Sequence, residues 1–196
     1  MDYLLGIVGD GFTVMVADKT AARSIMVLRQ DFDKMVTLNK NTLMSLAGPI
    51  GDCTVFGEYI RANVQLFELR QGVPMTSHAC ANFTRNELAK ALRSRNAYQC
   101  FSLIGGFDEE TGQASLHWMD YLASMHKLQY GAHGYGAAFT LGLLDKRYKP
   151  NMTLDEVIEI VKACMLELKT RFIISLKDFT FRVVDKDGIR ELTVEL

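Results

Sequence analysis

Side chains that could act as metal ligands or redox groups are scattered along this chain. It has four cysteines, at Cys53, Cys80, Cys100 and Cys164. No two of them form a CxxC pair, so we interpret them as reduced thiols that fill the core in a cytosolic or nuclear protein. Three histidines, His78, His117 and His126, form no HxxxH or HExxH pattern. A metal site is therefore not predicted, and we expect no cofactor.

A glycine-rich segment, GAHGYG at residues 131–136, is the other stretch that could bind a ligand. It lacks the acidic ribose partner and the βαβ context of a dinucleotide-binding fingerprint. We predict instead a turn whose glycines allow close helix packing. His133 lies in this segment with no nucleophile or metal partner at a useful spacing. We interpret it as a structural histidine in the turn that opens a helix.

Composition limits the classes of function. The chain has 196 residues, of which 48% are hydrophobic and 23% charged, and its formal net charge is -1. This length predicts a single domain over residues 1–196. The charge excludes a sequence-independent nucleic-acid binder, because such a protein needs a strong excess of basic residues. No apolar run reaches the ~20 residues that span a bilayer. The beginning of the chain lacks the features of a signal peptide, so we expect neither membrane nor nucleic-acid partners.

The first half of the chain predicts four strands followed by two helices. The strands are expected at residues 4–8, 12–17, 34–38 and 42–46, with a hairpin turn at Gly9-Asp10-Gly11. A helix is expected over 52–70, with Phe56, Ile60, Val64 and Phe67 on one face. A second helix is expected from Thr76 or Ser77 to about Arg95. Its apolar stripe would be Cys80, Leu88, Ala91 and Leu92.

The second half predicts three strands, two helices and a final hairpin. The strands are expected at 100–107, 113–120 and 126–130, and the first helix at 135–146. Thr153 and Glu156 have the spacing of a capping box at the start of the second helix. Leu154, Val157, Ile158, Val161, Cys164 and Leu168 would line its buried face. The hairpin pairs 179–185 with 189–196, and Phe179, Phe181 and Val183 would form its single buried face.

This order predicts the fold class. Hairpins dominate the strand groups, which indicates largely antiparallel sheets, and paired helices argue against alternating βαβ units. Two strands, FTVMVA and TLMSLA, are apolar on both faces. The pattern therefore predicts an α+β protein, a four-layer α-β-β-α sandwich of two largely antiparallel sheets.

Several longer segments resemble one known family. They are MDYLLGI at the start, DFDKM (31–35), EYIRANVQLFELRQG (58–72), ANFTRNELAKALRSR (81–95), WMDYLASM (118–125), AHGYGA (132–137), KTRFI (169–173) and DKDGI (185–189). Together they resemble the β subunits of the proteasome core particle, which have the N-terminal nucleophile hydrolase fold. The resemblance covers nearly the whole chain and is greatest to an inactive member.

The resemblance implies a catalytic arrangement in active members. A mature N-terminal threonine attacks the peptide carbonyl, and its own α-amine serves as the base. A lysine held by an aspartate lowers nearby pKa values, and a glycine turn stabilises the oxyanion. Carried onto this chain, the aspartate matches Asp18, the lysine matches Lys34, and the turn matches Ala47 and Gly48.

The nucleophile position falls on Asp2, which has no hydroxyl or thiol, and with Met1 in place it would have no free α-amine. A DxxSGG-like stretch of active members is also replaced, by KTRFIISLKDF. We therefore expect no catalytic residue, with Asp18, Lys34 and Gly48 as positions of a relict pocket. Asp18 and Lys34 are expected to form a buried pair, although Lys34 could instead face solvent. The alternative is an active threonine-type peptidase with an unrecognised nucleophile, such as Ser45 or Cys53, although a core position explains both residues better.

The resemblance also implies partners and location. A structural β subunit would occupy one place in a seven-membered ring, touching other β subunits of that ring, α-ring subunits and the opposite β ring. Its role would be to help enclose the chamber for ubiquitin-dependent protein degradation, in cytoplasm and nucleus. The expected contact surfaces are the 81–95 helix, the loop from Leu69 to Met75, and the C-terminal strand 189–196.

Overall fold

The computed structural model describes residues 2–23, 26–172, 176 and 178–194. Its strands are β1 (Tyr3–Gly9), β2 (Phe12–Asp18), β3 (Ala21–Arg23), β4 (Met26–Arg29), β5 (Met35–Asn39), β6 (Thr42–Ala47), β7 (Phe101–Asp108), β8 (Gln113–Met119), β9 (Met125–Leu128), β10 (Tyr130–Gly134), β11 (Phe179–Asp185) and β12 (Gly188–Glu191). Its helices are α1 (Ile50–Gln71), α2 (Ser77–Leu92), α3 (Ala137–Arg147) and α4 (Leu154–Arg171).

Two five-stranded antiparallel sheets form the centre of the molecule. One has the strand order β10-β1-β2-β11-β12 and the other β5-β6-β7-β8-β9. All seven residues of β2 and all six of β6 are buried, as expected for strands covered on both faces. A third, two-stranded sheet pairs β3 with β4.

The hydrophobic core consists of three clusters, one in each space between two neighbouring layers of the fold. Three such spaces confirm the four-layer α-β-β-α sandwich. Between the two sheets, Leu4 and Met15 of one sheet share a cluster with Leu103 and Leu116 of the other. A second cluster lies between α1, α2 and the β5–β9 sheet, and a third between α3, α4 and the other sheet. Each helix pair thus shields the outer face of one sheet from water.

Local signals in the sequence set several boundaries. The β1–β2 hairpin turns at Asp10 and Gly11, with a φ of 74° at Gly11 that favours glycine. The capping box at the start of α4 is present, because the Thr153 and Glu156 side chains each bond to the other residue's backbone N–H. Thr76 caps α2 by accepting a hydrogen bond from the Ala79 N–H.

Three strands were not predicted. β3 and β4 lie between the first two predicted strand pairs, and the β4 residues are all exposed. β10 covers most of the glycine-rich segment that we predicted as a turn, and it pairs with β1 from Tyr3–Gly134 to Ile7–Tyr130. Helix α3 accordingly begins at Ala137 rather than at 135. The sequence pattern missed β10 because this strand has little apolar alternation and because its pairing with β1 decides its conformation.

The buried faces of several elements also differ from prediction. Phe67 is 37% exposed because α1, 22 residues long, continues beyond the sheet that buries Phe56 and Ile60. Helix α2 ends at Leu92 rather than near Arg95, and Leu92 is 36% exposed. In α4, the buried face includes Ile160 and Met165, whereas Leu154 and Ile158 are only partly buried. Strand β11 is buried on both faces, since Thr180 and Val184 are buried as well as the predicted Phe181 and Val183, whereas the predicted Phe179 is only partly buried.

The C-terminal segment packs on this chain's own core. Strand β12 is shorter than predicted, and the predicted residues 195–196 lie outside the described part. Leu192 and Val194 contact the cluster beneath α3 and α4, and the Leu192 N–H donates to the Phe181 carbonyl at 2.9 Å. Part of this segment thus packs on the chain's own core, and its role as a contact surface stays a prediction. Within the described residues, no helix has the length and apolar character needed to cross a membrane.

Candidate functional site

Asp18 lies at the end of β2, where the backbone fixes its carboxylate. The Tyr3 N–H donates to Oδ1 at 2.7 Å and the Thr20 N–H donates to Oδ2 at 3.0 Å. The side chain is fully buried. Because both oxygens accept backbone hydrogen bonds, the orientation of this carboxylate is set by the sheet rather than by solvent.

Lys34 lies just before β5 and points into the sandwich. Its Nζ donates to Asp18 Oδ1 at 2.8 Å and to Asp2 Oδ1 at 2.6 Å. The residue is 5% exposed, so the ammonium is removed from water and relies on these two carboxylates. The solvent-facing interpretation of Lys34 is therefore wrong.

Asp2 completes the group from the residue before β1. Its second oxygen, Oδ2, accepts a hydrogen bond from the Gly48 N–H at 3.0 Å. Gly48 has a φ of 143°, and a Cβ at this position would collide with the Gln99 carbonyl oxygen. Only glycine fits here, so the turn between β6 and α1 presents its N–H to Asp2.

The electrostatics of the site follow from one cation between two carboxylates. Burial raises the pKa of Asp18, while the charge and hydrogen bond of Lys34 oppose that rise and the charge of Asp2 adds to it. The group carries a formal charge of -1 when both carboxylates are ionised. We call Asp2, Asp18, Lys34 and Gly48 the Lys34 site.

The chemistry available to these groups is limited. The three side chains of the Lys34 site are two carboxylates and an ammonium, and none carries a hydroxyl or thiol. The Gly48 N–H has the character of an oxyanion donor, but it already holds a carboxylate oxygen. The ammonium of Lys34 offsets one of the two carboxylate charges, so these groups bind one another.

The two alternative nucleophiles lie in the core. Ser45 on β6 is fully buried, and its Oγ donates to the Leu103 carbonyl at 3.5 Å. Cys53 in the first turns of α1 is 7% exposed. Neither residue is among the contacts that Lys34 makes.

The histidines are dispersed over the fold. His133 lies on strand β10, so the predicted turn position is wrong. Its ring stacks on the ring of Trp118, with the two centroids 4.7 Å apart. Burial lowers the pKa of His133 to about 4. Burial also lowers the pKa of His117 to about 4, assisted by the charges of His78 and Lys127. Across the described residues, no cluster of three or more His, Cys, Asp or Glu side chains is arranged to hold a metal ion.

Comparison with known proteins shows the family of this chain. A family model described as "Proteasome subunit" matches residues 3–184. The chain belongs to the proteasome subunit family. It is 43% identical to proteasome subunit beta type-2-B of Arabidopsis thaliana, over 97% of this chain and 95% of that protein.

Other relatives are also named as proteasome β subunits. A probable proteasome subunit beta type-4 of Neurospora crassa is 45% identical over 98% of this chain and 95% of its own length. Proteasome subunit beta type-4 of Saccharomyces cerevisiae is 42% identical over 98% of this chain and 97% of its own length. The matches span almost the full length of both partners, as expected for a shared fold with the same element order.

One feature of the site had no signal in the sequence. The bridging of Asp2 between Lys34 and Gly48 depends on three segments that are at least 14 residues apart in the chain. Pairing of β5 with β6 places Lys34 near Gly48, and packing of the two sheets against each other brings Asp2 to both. The resemblance shows that Asp2 stands at the nucleophile position of active members, but it does not show which groups the Asp2 side chain contacts.

Proposed function

We propose that this chain is a non-catalytic, structural β subunit of the 20S proteasome core particle, of the kind named beta type-2 or beta type-4. The supporting observation is the Asp2 carboxylate, which lies between Lys34 Nζ at 2.6 Å and the Gly48 N–H at 3.0 Å. Asp2 occupies the position that the resemblance assigns to the nucleophile.

The chemical reason for proposing a non-catalytic role is that Asp2 offers a bound carboxylate where catalysis needs a hydroxyl. Amide cleavage by this family's mechanism needs a hydroxyl activated by a neighbouring amine and an oxyanion donor free to receive the developing charge. At Asp2 the side chain offers a carboxylate, and the Gly48 N–H already binds one of its oxygens. The Lys34 site is thus proposed as a relict catalytic pocket with a structural role.

Labelling of the assembled particle tests this proposal. The particle is treated with a peptide epoxyketone, and each subunit is then analysed by intact mass and by peptide mapping. We expect this chain to remain unlabelled and its N-terminal peptide to retain Asp2, while catalytic subunits of the same particle serve as the positive control. A covalent adduct on this chain, or a newly exposed N-terminal hydroxyl or thiol, would reject the proposal.

Membership of the family implies assembly with other proteasome subunits, and we propose a place in the β ring between two neighbours, next to the α ring and the opposite β ring. Exposed apolar side chains support assembly. Met26, Val27 and Leu28 on β4 are 60%, 49% and 59% exposed. We call these three residues the β4 patch. A contiguous apolar strand on the surface is typical of a protein–protein contact.

Substitution of the β4 patch tests the assembly proposal. Changing all three residues to threonine keeps the β-propensity and removes apolar surface. We expect reduced incorporation into particles, measured by affinity capture and quantitative mass spectrometry. The control is the melting temperature of the purified chain, which should stay unchanged because these side chains are exposed. Normal incorporation would contradict a role for the patch.

Deletion of residues 189–196, one of the three predicted contact surfaces, is a poorer test. Leu192 and Val194 contact the chain's own core, so the deletion would impair folding as well as assembly. Loss of incorporation would then have two explanations.

For the location of the protein, we propose cytoplasm and nucleus. The four cysteines are free and buried, and this supports a reducing compartment. Fractionation of cells that express the tagged full-length chain tests this, and a predominantly secreted or luminal pool would contradict it.

A further inference from the structure

A basic groove follows the seam between helices α3 and α4, which pack against each other on one outer face of the sandwich. Two open cavities of about 390 and 440 Å³ lie along this seam, and Arg147 lines both. We call their combined walls the α3–α4 groove. The charged residues of these walls are five cations and two carboxylates, namely Lys146, Arg147, Lys162, Lys169 and Arg171 with Glu159 and Glu167. This excess of cations contrasts with the whole chain, whose formal net charge is -1.

Both carboxylates of the α3–α4 groove already have a cation beside them. Lys162 Nζ lies 3.3 Å from Glu159 Oε1, and Arg171 Nε lies 2.6 Å from Glu167 Oε2. Within the described ranges, three cations of the groove form no ion pair, and these are Lys146, Arg147 and Lys169. The groove therefore has three positive charges that an incoming carboxylate can meet.

Exposed apolar side chains stand among these cations. Leu166 on α4 lines the smaller cavity and is 65% exposed, and Phe139 on α3 lines the larger cavity and is 37% exposed. Leu166 follows Lys162 by four residues and precedes Lys169 by three, so these three side chains share one face of α4. An apolar centre with a charged rim is typical of a protein–protein contact.

The helix dipole accounts for only part of this pattern. Lys146 and Arg147 lie in the last turn of α3, and Lys169 and Arg171 lie in the last turn of α4. Each of these cations stabilises the partial negative charge at the end of its own helix. That effect needs no partner, but it does not explain why cations from both helices line adjoining cavities around an exposed Leu166.

We propose that the α3–α4 groove is a docking site for an acidic segment of a neighbouring subunit, and that this segment also carries an apolar side chain. The inference rests on the proposed place of the chain in a proteasome particle. Carboxylates of the segment pair with Lys146, Arg147 and Lys169, and its apolar side chain covers Leu166. A basic segment is excluded from the same groove, because like charges that face each other across an interface repel.

Zero-length cross-linking of the assembled particle tests the contact. A carbodiimide joins a lysine amine to a carboxylate as an amide, with loss of water, so it links only groups in direct contact. We expect Lys146 or Lys169 to be linked to an aspartate or glutamate of a neighbouring subunit. Both lysines should also be acetylated more slowly in the particle than in the purified chain.

Three results of this experiment would overturn the docking proposal. Links from Lys146 and Lys169 only to Glu159 or Glu167 of the same chain would show no acidic partner. Acetylation of both lysines at the rate of the purified chain would show an uncovered groove. Protection of both lysines without any cross-link would show a neutral or apolar cover instead of an acidic segment.

Two double variants separate charge from packing. Lys146→Gln with Lys169→Gln removes two positive charges from the groove, and we expect about tenfold less incorporation into particles than for the wild-type chain. Lys146→Arg with Lys169→Arg keeps both charges and should be incorporated normally. Both lysines are exposed, so the two variants should have similar urea unfolding midpoints.

The comparison between the two double variants decides the role of charge. Equal incorporation of the glutamine and arginine variants would overturn the inference, while the proposed place in the particle would stand. Absence of the wild-type chain from particles would reject that place, and the docking proposal with it.

Discussion

The buried ion pair gives the most direct test of the reasoning about the Lys34 site. Lys34→Met keeps a side chain of similar length but removes the ammonium that holds Asp18 and Asp2 at 2.8 and 2.6 Å. Asp18 is then left fully buried without a counter-charge. Removing one partner of a buried pair costs about 3–5 kcal/mol of unfolding free energy, and we expect a loss in this range at pH 7.

The loss should depend on pH. Burial raises the pKa of Asp18 above its ordinary value of 3.8 and Lys34 opposes the rise, so the variant should have a still higher pKa. A folded state with a raised carboxyl pKa holds a proton that the unfolded state has released, and stability therefore falls as pH rises from 3.8 through the folded pKa. The destabilisation by Lys34→Met is expected to be smallest near pH 4 and largest at pH 7.

Urea unfolding of the purified chain measures this effect, with the single tryptophan, Trp118, as the fluorescent probe. The matched control is Lys40→Met, which breaks an exposed pair with Glu109 at 3.3 Å. Exposed pairs contribute about 0–1 kcal/mol. If Lys34→Met and Lys40→Met lower the unfolding free energy equally at pH 7, or if the Lys34→Met loss is independent of pH, the reasoning is refuted.

Three further predictions concern backbone space, histidine titration and assembly. At Gly134, with a φ of 86°, a Cβ would collide with the backbone carbonyl of the residue before β1. We expect Gly134→Ala to lower the unfolding free energy by about 1–3 kcal/mol, whereas Gly142→Ala, in open space on α3, should raise it by about 0.5–1 kcal/mol; urea midpoints that move together would contradict this. Both ring nitrogens of His117 lack a hydrogen-bond partner in the described structure, and its lowered pKa of about 4 means that the unfolded state binds more protons between pH 6.5 and 4. Stability should fall with decreasing pH in this window by up to about 1.4 kcal/mol per unit for this group. His117→Leu should make the fall shallower and His126→Leu, at an exposed histidine, should not; equal slopes in melting experiments would exclude the assignment. The threonine-substituted β4 patch should lose incorporation into particles without a change in melting temperature.

The elements predicted from sequence are those whose signals are local. The β1–β2 turn needs a glycine with positive φ at Gly11, and the α4 start needs the Thr153–Glu156 pair, so a few neighbouring residues suffice to locate each. Strand β10 had no such signal, because its residues become a strand only by pairing with β1. Phe67 was misplaced because periodicity gives a helix face but not the length of the sheet beneath it.

By itself the sequence determined the layer order, since strands apolar on both faces and paired amphipathic helices can bury their surfaces only in a sandwich. It also determined which residue types stand at Asp2, Asp18, Lys34 and Gly48, and their interpretation as a relict pocket stays a prediction. Only the tertiary structure decided that Lys34 is buried and that the Asp2 carboxylate bridges it to the Gly48 N–H. The physical reason is that these contacts join distant segments through strand register, and register is set by the packing of whole sheets rather than by neighbours in the chain.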